Sequence, residues 1–328
     1  MGIPRSKPPR AADARRRPVQ PVATPARPII LIVRRRPPRE VSMAPTPLPS
    51  PPPHAVSVDV EDWYQLRRGG ETPISARFER SVEAVLAALA ARAVRATFFV
   101  LGRVAEDAPH VVHRIADAGH EIQSHGHAHR PNHDLTEVQF REDVTRAKHL
   151  IEDVTGSEVY AYRAPLFTID EQNLWALDVL AETGHRYDSS IFPVKTSRYG
   201  VAGYPPGPRI VETRSGRRLV EAPVASFDWL GRRWPVGGGG YVRLWPYSFL
   251  RKAWRRIERE GRPGILYFHN YEYDPGQMWA HRREFPLGVR LQQGLGRRGV
   301  PKKVNRLLAE FRFGPMRQVL APLLEEVT

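Results

Sequence analysis

Short β-rich runs alternate with helical stretches along most of this chain from Val56 onward, and the runs tend to end in polar clusters. Val56-Ser57-Val58-Asp59-Val60 reads as a buried strand that runs straight into carboxylates. Phe78, Val82, Val85, Leu86 and Leu89 then recur at helical spacing, and Ala96-Thr97-Phe98-Phe99-Val100 is a second strand. A helix is expected over Val104–Ala118, stopped by Gly119, with His120-Glu121-Ile122-Gln123 following. Thr136-x-x-Gln139 is a capping box that should open a helix reaching about Val154. Further strands are expected at Val159–Tyr162, at Tyr187 and at Ile265–His269, with a helix capped by Asp170, running through Ala181 and closed by Gly184 between the first two. Such alternation predicts an α/β fold, a parallel sheet with helical crossovers. The pattern suits a (β/α) barrel, although periodicity does not separate a barrel from an open sheet. In either arrangement, chemistry gathers at the carboxyl ends of the strands.

Two regions fall outside that rhythm. Residues 1–53 are rich in Pro and Arg, with eleven Lys and Arg against Asp13 and Glu40. This tail therefore carries +9 of the net +15, leaving +6 for the rest, and disorder is expected of it. Weak contact of the basic tail with anionic surfaces follows from its charge, but no specific nucleic acid partner does. Residues 193–245 are irregular and rich in Pro, Gly, Arg and Trp, and a basic helix is expected around Val304–Phe311. The expected division is a tail (1–53), a catalytic domain (54–270) and a mostly helical C-terminal extension (271–328). No apolar run is long enough to span a bilayer, and Ile29–Val33 is too short for a signal-peptide core. The expected location is cytoplasmic; the oligomeric state stays open.

The candidate site begins with Ser124-His125-Gly126-His127-Ala128-His129. In a helical turn His125 and His129 would share one face and could grip a single metal ion. Two imidazoles leave a site incomplete, and with no cysteine in the chain the remaining ligand must come from His, Asp or Glu. Asp59, Glu61 and Asp62 crowd the end of the first strand; alone they would read as a solvated acidic turn. Arg163-Ala164-Pro165, Asp188 and His269 each follow a strand, and each alone has an ordinary structural reading.

Taken in order, these pieces resemble the NodB-type polysaccharide deacetylases of carbohydrate esterase family 4. The resemblance is carried by Asp59-x-Glu61-Asp62, Thr97-Phe98-Phe99, Gly119-His120-Glu121-Ile122, His125-x-x-x-His129, Arg163-x-Pro165 and His269, and spans roughly Ala55–Asn270. Asp59–Trp63, Gly239–Arg243 and Phe311–Pro315 resemble a subgroup found with exopolysaccharide and exosortase loci. The family implies a distorted (β/α) barrel and a divalent metal, expected to be zinc, held by His125, His129 and either Glu61 or Asp62. Related members with Asp-x-Asp use the third position, and strand alternation agrees, which favours Glu61. It also implies Asp59 as general base, Arg163 orienting it, His269 as general acid and Asp188 tuning His269. Pro165, Tyr241 and Tyr271 are expected at the substrate; Tyr241, Trp245, Tyr267 and Tyr271 could stack on sugar rings or serve as core aromatics. The implied activity is removal of N-acetyl groups from an amino-sugar polysaccharide or its precursor. The alternatives are a small-molecule amidohydrolase of related barrel type and a non-catalytic carbohydrate-binding module.

Overall fold

The computed structural model describes residues 53–68, 73–196 and 199–327. Contacts divide the chain after Ile30, and every described residue belongs to the longer unit. The basic tail, apart from Pro53, lies outside the described residues.

The strands are β1 (His54–Val60), β2 (Thr97–Val100), β3 (Glu121–Ser124), β4 (Ala161–Tyr162), β5 (Tyr187–Asp188), β6 (Arg209–Glu212), β7 (Arg218–Glu221), β8 (Ser226–Trp229), β9 (Arg232–Pro235), β10 (Ile265–His269) and β11 (Phe313–Gly314). Nine of them form one sheet in the order β10-β1-β2-β3-β4-β5-β7-β6, with β11 added beside β1. Every pairing along it is parallel except β6 with β7, and the sheet curls into an open half-barrel. This is the expected α/β, distorted-barrel fold. β1 is buried along its whole length, as a strand covered on both faces must be. Val56, Val58 and Val60 face the helices, packing near Phe78, Val82, Val85 and Leu89 of helix Ala76–Ala90. Ala55, Ser57 and Asp59 alternate onto the other face, where Ala55 joins Phe99, Tyr187 and Met316 in the interior.

Local signals place most elements well. The Thr136/Gln139 capping box is formed, and its helix runs Glu137–Thr155 before Gly156 closes it at φ 62°. The single helix expected over Val104–Ala118 is instead two, Gly102–Asp107 and Pro109–Asp117. Pro109 supplies no N–H and drives the residue before it, Ala108, out of the helical region. The irregular stretch holds two antiparallel hairpins, β6–β7 and β8–β9, which its Pro and Gly content hides.

Residues 271–327 are mostly helical, yet they do not stand apart from the barrel. β2 pairs with β1 only from Ser57 onward, and β11 takes the free positions at His54 and Ala55. Helix Met316–Leu324 then crosses the barrel floor, burying Met316 and Leu320. Its first N–H groups donate into the barrel, from Met316 to Thr97 Oγ1 (2.7 Å) and from Arg317 to Glu121 Oε2 (3.1 Å). A carboxylate at a helix N-terminus satisfies orphan donors and meets the positive end of the dipole. The floor of the barrel is thus sealed by the C-terminal segment.

Candidate metal centre and active site

At the opposite end, β1 delivers three carboxylates in four residues, and strand alternation sorts them. Asp59 and Glu61 turn into the barrel mouth. Glu61 is anchored by its own N–H, which donates to Asn270 Oδ1 at 3.0 Å, while Asn270 is tied to Ser81. Asp62 turns away and accepts from the backbone N–H groups of Tyr64 (3.0 Å) and Ser75 (2.6 Å). Of the two carboxylates left open by the sequence, only Glu61 joins a ligand cluster.

That cluster is Glu61, His125 and His129, with one ligand atom from each lying within 4.8 Å of the others. His129 Nε2 lies 2.9 Å and His125 Nε2 3.8 Å from Glu61 Oε2. The two histidines do not share a helical turn as expected. They sit on a loop leaving β3, bent by Gly126 at φ 76° and His129 at φ 54°. His125 Nδ1 meets the Arg163 carbonyl at 2.8 Å, so Nδ1–H donates and Nε2 presents its lone pair to the cluster. His127 points elsewhere, to Glu106 at 3.0 Å.

The donor set fits a divalent metal. Glu61 Oε2 is buried, and the atoms that converge on it are the ring nitrogens of His129 (2.9 Å) and His125 (3.8 Å), a set of lone-pair donors that a cation could bind together. Two imidazoles and a carboxylate with an open fourth position match hydrolytic zinc sites. Burial raises the Glu61 pKa, but the facing His129, His269 and His125 overcome that and hold it near 2. Burial pushes His125 down to about 4, which keeps it neutral as a ligand must be.

Beside this cluster, Asp59 and His269 are register partners on the adjacent strands β1 and β10. Asp59 Oδ1 accepts from Arg163 Nη1 at 2.7 Å. The guanidinium is fully buried and also donates to Ser57 Oγ and Ser189 Oγ, while lying 4.2 Å over the Phe99 ring. It is therefore fixed in one place before any ligand arrives. His269 Nε2 faces Glu61 Oε1 at 3.5 Å, and its Nδ1 faces Glu272 Oε2 at 3.8 Å. Burial opposes its charge, but Glu61, Glu272 and Asp59 raise its pKa to about 9.

The carboxylate beside His269 is therefore Glu272. Asp188 is a register partner of Glu221 on β5 and β7 and accepts from Ser190 Oγ. The resemblance implied Asp188 in that place, whereas β5 lies five strands from β10 along the sheet. The missed residue had a signal: His269-x-x-Glu272 places the carboxylate one turn after the histidine. Gly239 makes room for it, since a Cβ there would collide with the Glu272 carboxylate.

These groups open into a cavity of about 370 Å³, lined by Asp59, Glu61, His125, His129, His269 and Tyr271 among others. Tyr271 stacks on His269, ring centroids 4.6 Å apart. Tyr267 also lines the cavity, whereas Trp245 packs among Trp234 and Phe249. Tyr241 stands one layer back, stacked on Phe192, and it is Tyr199 that reaches the lining. Pro165 is buried and acts through its two successors: Leu166 and Phe167, both at φ 56°, are carried to the cavity wall. Trp63 and Arg243, the last residues of the Asp59–Trp63 and Gly239–Arg243 motifs, also line it, as do Phe167 and Tyr199, for which the sequence offers no cue.

Residues 69–187 match the family model described as Polysaccharide deacetylase. The resemblance is to the polysaccharide deacetylases. Residues 189–321 match a domain of unknown function (DUF3473), so the second match takes in β6 to β11 and most of the floor helix. The peptidoglycan-N-acetylglucosamine deacetylase of Bacillus cereus is 34% identical over 86 residues, 26% of this chain and 31% of that protein. The peptidoglycan deacetylase of Helicobacter pylori is 31% identical over 96 residues, 29% of this chain and 32% of its own length. The matches thus span about a third of these relatives. A crystal structure from Mycobacterium smegmatis, provisionally assigned as a polysaccharide deacetylase, aligns with a TM-score of 0.55 at 21% identity, covering 88% of this chain and 94% of that one. That likeness establishes the fold.

Proposed function

We propose that this protein is a metal-dependent hydrolase that removes N-acetyl groups from an amino-sugar polysaccharide or its precursor. The observation that carries the reading is the meeting of Glu61, His125 and His129 with Asp59 and His269 in one cavity. Glu61, His125 and His129 would hold the ion, which supplies Lewis acidity toward an amide carbonyl and toward water. Asp59, its carboxylate kept in place by Arg163, takes the proton of the attacking water. His269, held between Tyr271 and Glu272, returns a proton to the departing amine nitrogen. Tyr267, Tyr271 and Tyr199 give the cavity flat apolar faces suited to sugar rings.

The names of the curated relatives point to N-acetylated cell-wall glycans. The Asp59–Trp63, Gly239–Arg243 and Phe311–Pro315 motifs point to exopolysaccharide biosynthesis, and the match of residues 189–321 is in keeping with an added C-terminal region.

Acetate release from a panel of N-acetylated glycans, peptidoglycan and poly-N-acetylglucosamine included, tests this reading. Release should stop on chelation and return with zinc or another divalent ion. Hydrolysis of a small cyclic amide with no acetate from any glycan would favour the amidohydrolase reading. Glycan binding without any turnover would favour the binding module.

A further inference from the structure

Helix Leu287–Gly294 forms part of the cavity's rim: Gln293 lines the cavity and its carbonyl accepts from Arg243 Nη1 at 2.8 Å. Its apolar residues are placed the wrong way round for a helix that only packs on the barrel. Leu287, Leu291 and, at the C-cap, Leu295 succeed one another at four-residue spacing and so share one face. That face points to solvent, the three leucines being 62%, 57% and 64% exposed. Val289, Arg290 and Gln293, on the other side, are the partly buried ones. Leu244, next to the Arg243 that touches this helix, and Trp279, on the preceding helix Gln277–Ala280, are also more than half exposed. Contiguous exposed apolar surface of this kind marks an interaction site.

The charge around it identifies the partner. From Trp279 to Lys303 the chain has seven Lys and Arg (Arg282, Arg283, Arg290, Arg297, Arg298, Lys302, Lys303) against Glu284 alone, a net +6; Arg297 is buried and Lys303 donates to the Val242, Arg243 and Trp245 carbonyls, which leaves five cations and a net +4 for an outside partner. Residues 54–328 together carry +6, so all other residues after the tail sum to zero. The net positive charge beyond the tail is thus concentrated on the segment that exposes the leucines. A second copy of the chain would set positive charge against positive charge, whereas an anionic surface meets it with the opposite sign. Leucines on one face, a tryptophan beside them and a surrounding excess of Lys and Arg form the pattern of a helix lying in a lipid headgroup layer.

The geometry points to the Trp279–Lys303 segment as a docking surface for an anionic lipid bilayer, with Leu287, Leu291 and Leu295 entering the headgroup layer beside the cavity mouth. This goes beyond the proposed activity and does not depend on it.

The test is co-sedimentation of the full chain with vesicles of phosphatidylglycerol and phosphatidylcholine, and with phosphatidylcholine alone. The wild type should bind the anionic vesicles, and Leu287→Gln/Leu291→Gln/Leu295→Gln should bind at least about tenfold more weakly, the factor that burial of even one leucine supplies. The difference should persist at about 0.5 M salt, where screening suppresses any contribution of the basic tail. Equal binding by both proteins would overturn the proposal and assign the contact to the tail. So would unchanged vesicle binding together with a loss of self-association in the variant, since the leucines would then serve a second copy. Because the chain lacks cysteine, Leu291→Cys offers a unique thiol for an environment-sensitive dye, and folding of the triple variant is not required. Its emission should shift to the blue on adding anionic vesicles, while dye at Arg214→Cys, in the β6–β7 turn, should not respond. An unshifted signal at position 291 would equally sink the idea.

Discussion

The mouth of the half-barrel carries two pairs of titratable side chains that are register partners on neighbouring parallel strands. Asp59 and His269 pair across β1 and β10, and Asp188 and Glu221 pair across β5 and β7. Both pairs are buried or nearly so, yet the groups that surround them differ. Around the first, Arg163 supplies positive charge, His269 is raised to about 9, and the neighbouring Glu61 is held near pKa 2. Around the second, burial dominates: it pushes Asp188 up to about 6 and Glu221 well above its ordinary value, so the two carboxyls share a proton. Position at a strand end does not make a carboxylate reactive. The partners that the remaining elements bring to it decide whether it is ionised and open or protonated and closed off.

Substitutions can break that contrast. The largest loss is expected from Glu61→Gln, which should empty the site of metal and reduce acetate release to background, while Asp62→Asn should keep its metal. Metal content by mass spectrometry on both variants decides it, and the opposite result would move the ligand to Asp62. Asp59→Asn keeps shape but cannot accept a proton, so turnover should fall by ~10²–10⁴ with metal content unchanged. Metal loss in that variant would make Asp59 a ligand rather than a base.

Glu272→Gln should be milder, about 10–100-fold in kcat with little change in KM, because it loosens His269 without removing it. Asp188→Asn should leave turnover near the wild type; a loss as large as that of Glu272→Gln would mean that β5 reaches the chemistry after all.

The smallest effect is on stability. The folded-state pKa values of Asp188 and Glu221 lie above their unfolded values, so the folded protein holds the extra proton. The pair's contribution is fully present below about pH 4, and is lost as pH rises through about 6 and beyond. Glu221→Gln removes that dependence. Relative to the wild type its Tm should therefore rise between pH 5 and 8, by ~2–4 °C for each ~1 kcal/mol recovered. Parallel Tm curves for the two proteins would show that the pair is not sharing a proton.

Much of this fold is written locally. The run of valines in β1, the 136–139 capping box and the alternation of runs and helices each depend on residues within one or two turns of one another. Strand alternation likewise placed Asp59 and Glu61 on one face, because two residues apart on a strand means the same side whatever the strand packs against. The His-x-x-x-His spacing brought two imidazoles together even though the backbone between them is a loop.

What only the tertiary structure decided lies at long range. Glu61 rather than Asp62 enters the cluster because Asn270, 209 residues away, anchors one backbone N–H while the start of the next segments claims the other carboxylate. Glu272 rather than Asp188 faces His269 because the sheet order sets β5 and β10 apart. The C-terminal segment seals the floor where the orphan N–H groups that open helix Met316–Leu324 meet Thr97 Oγ1 and the Glu121 carboxylate. The first and last of these are matchings of polar groups between distant parts of the chain, and the second is a local pair that the sheet order leaves without a rival. Local periodicity cannot encode such a match, since it says which face a residue takes and nothing of what will come to meet it.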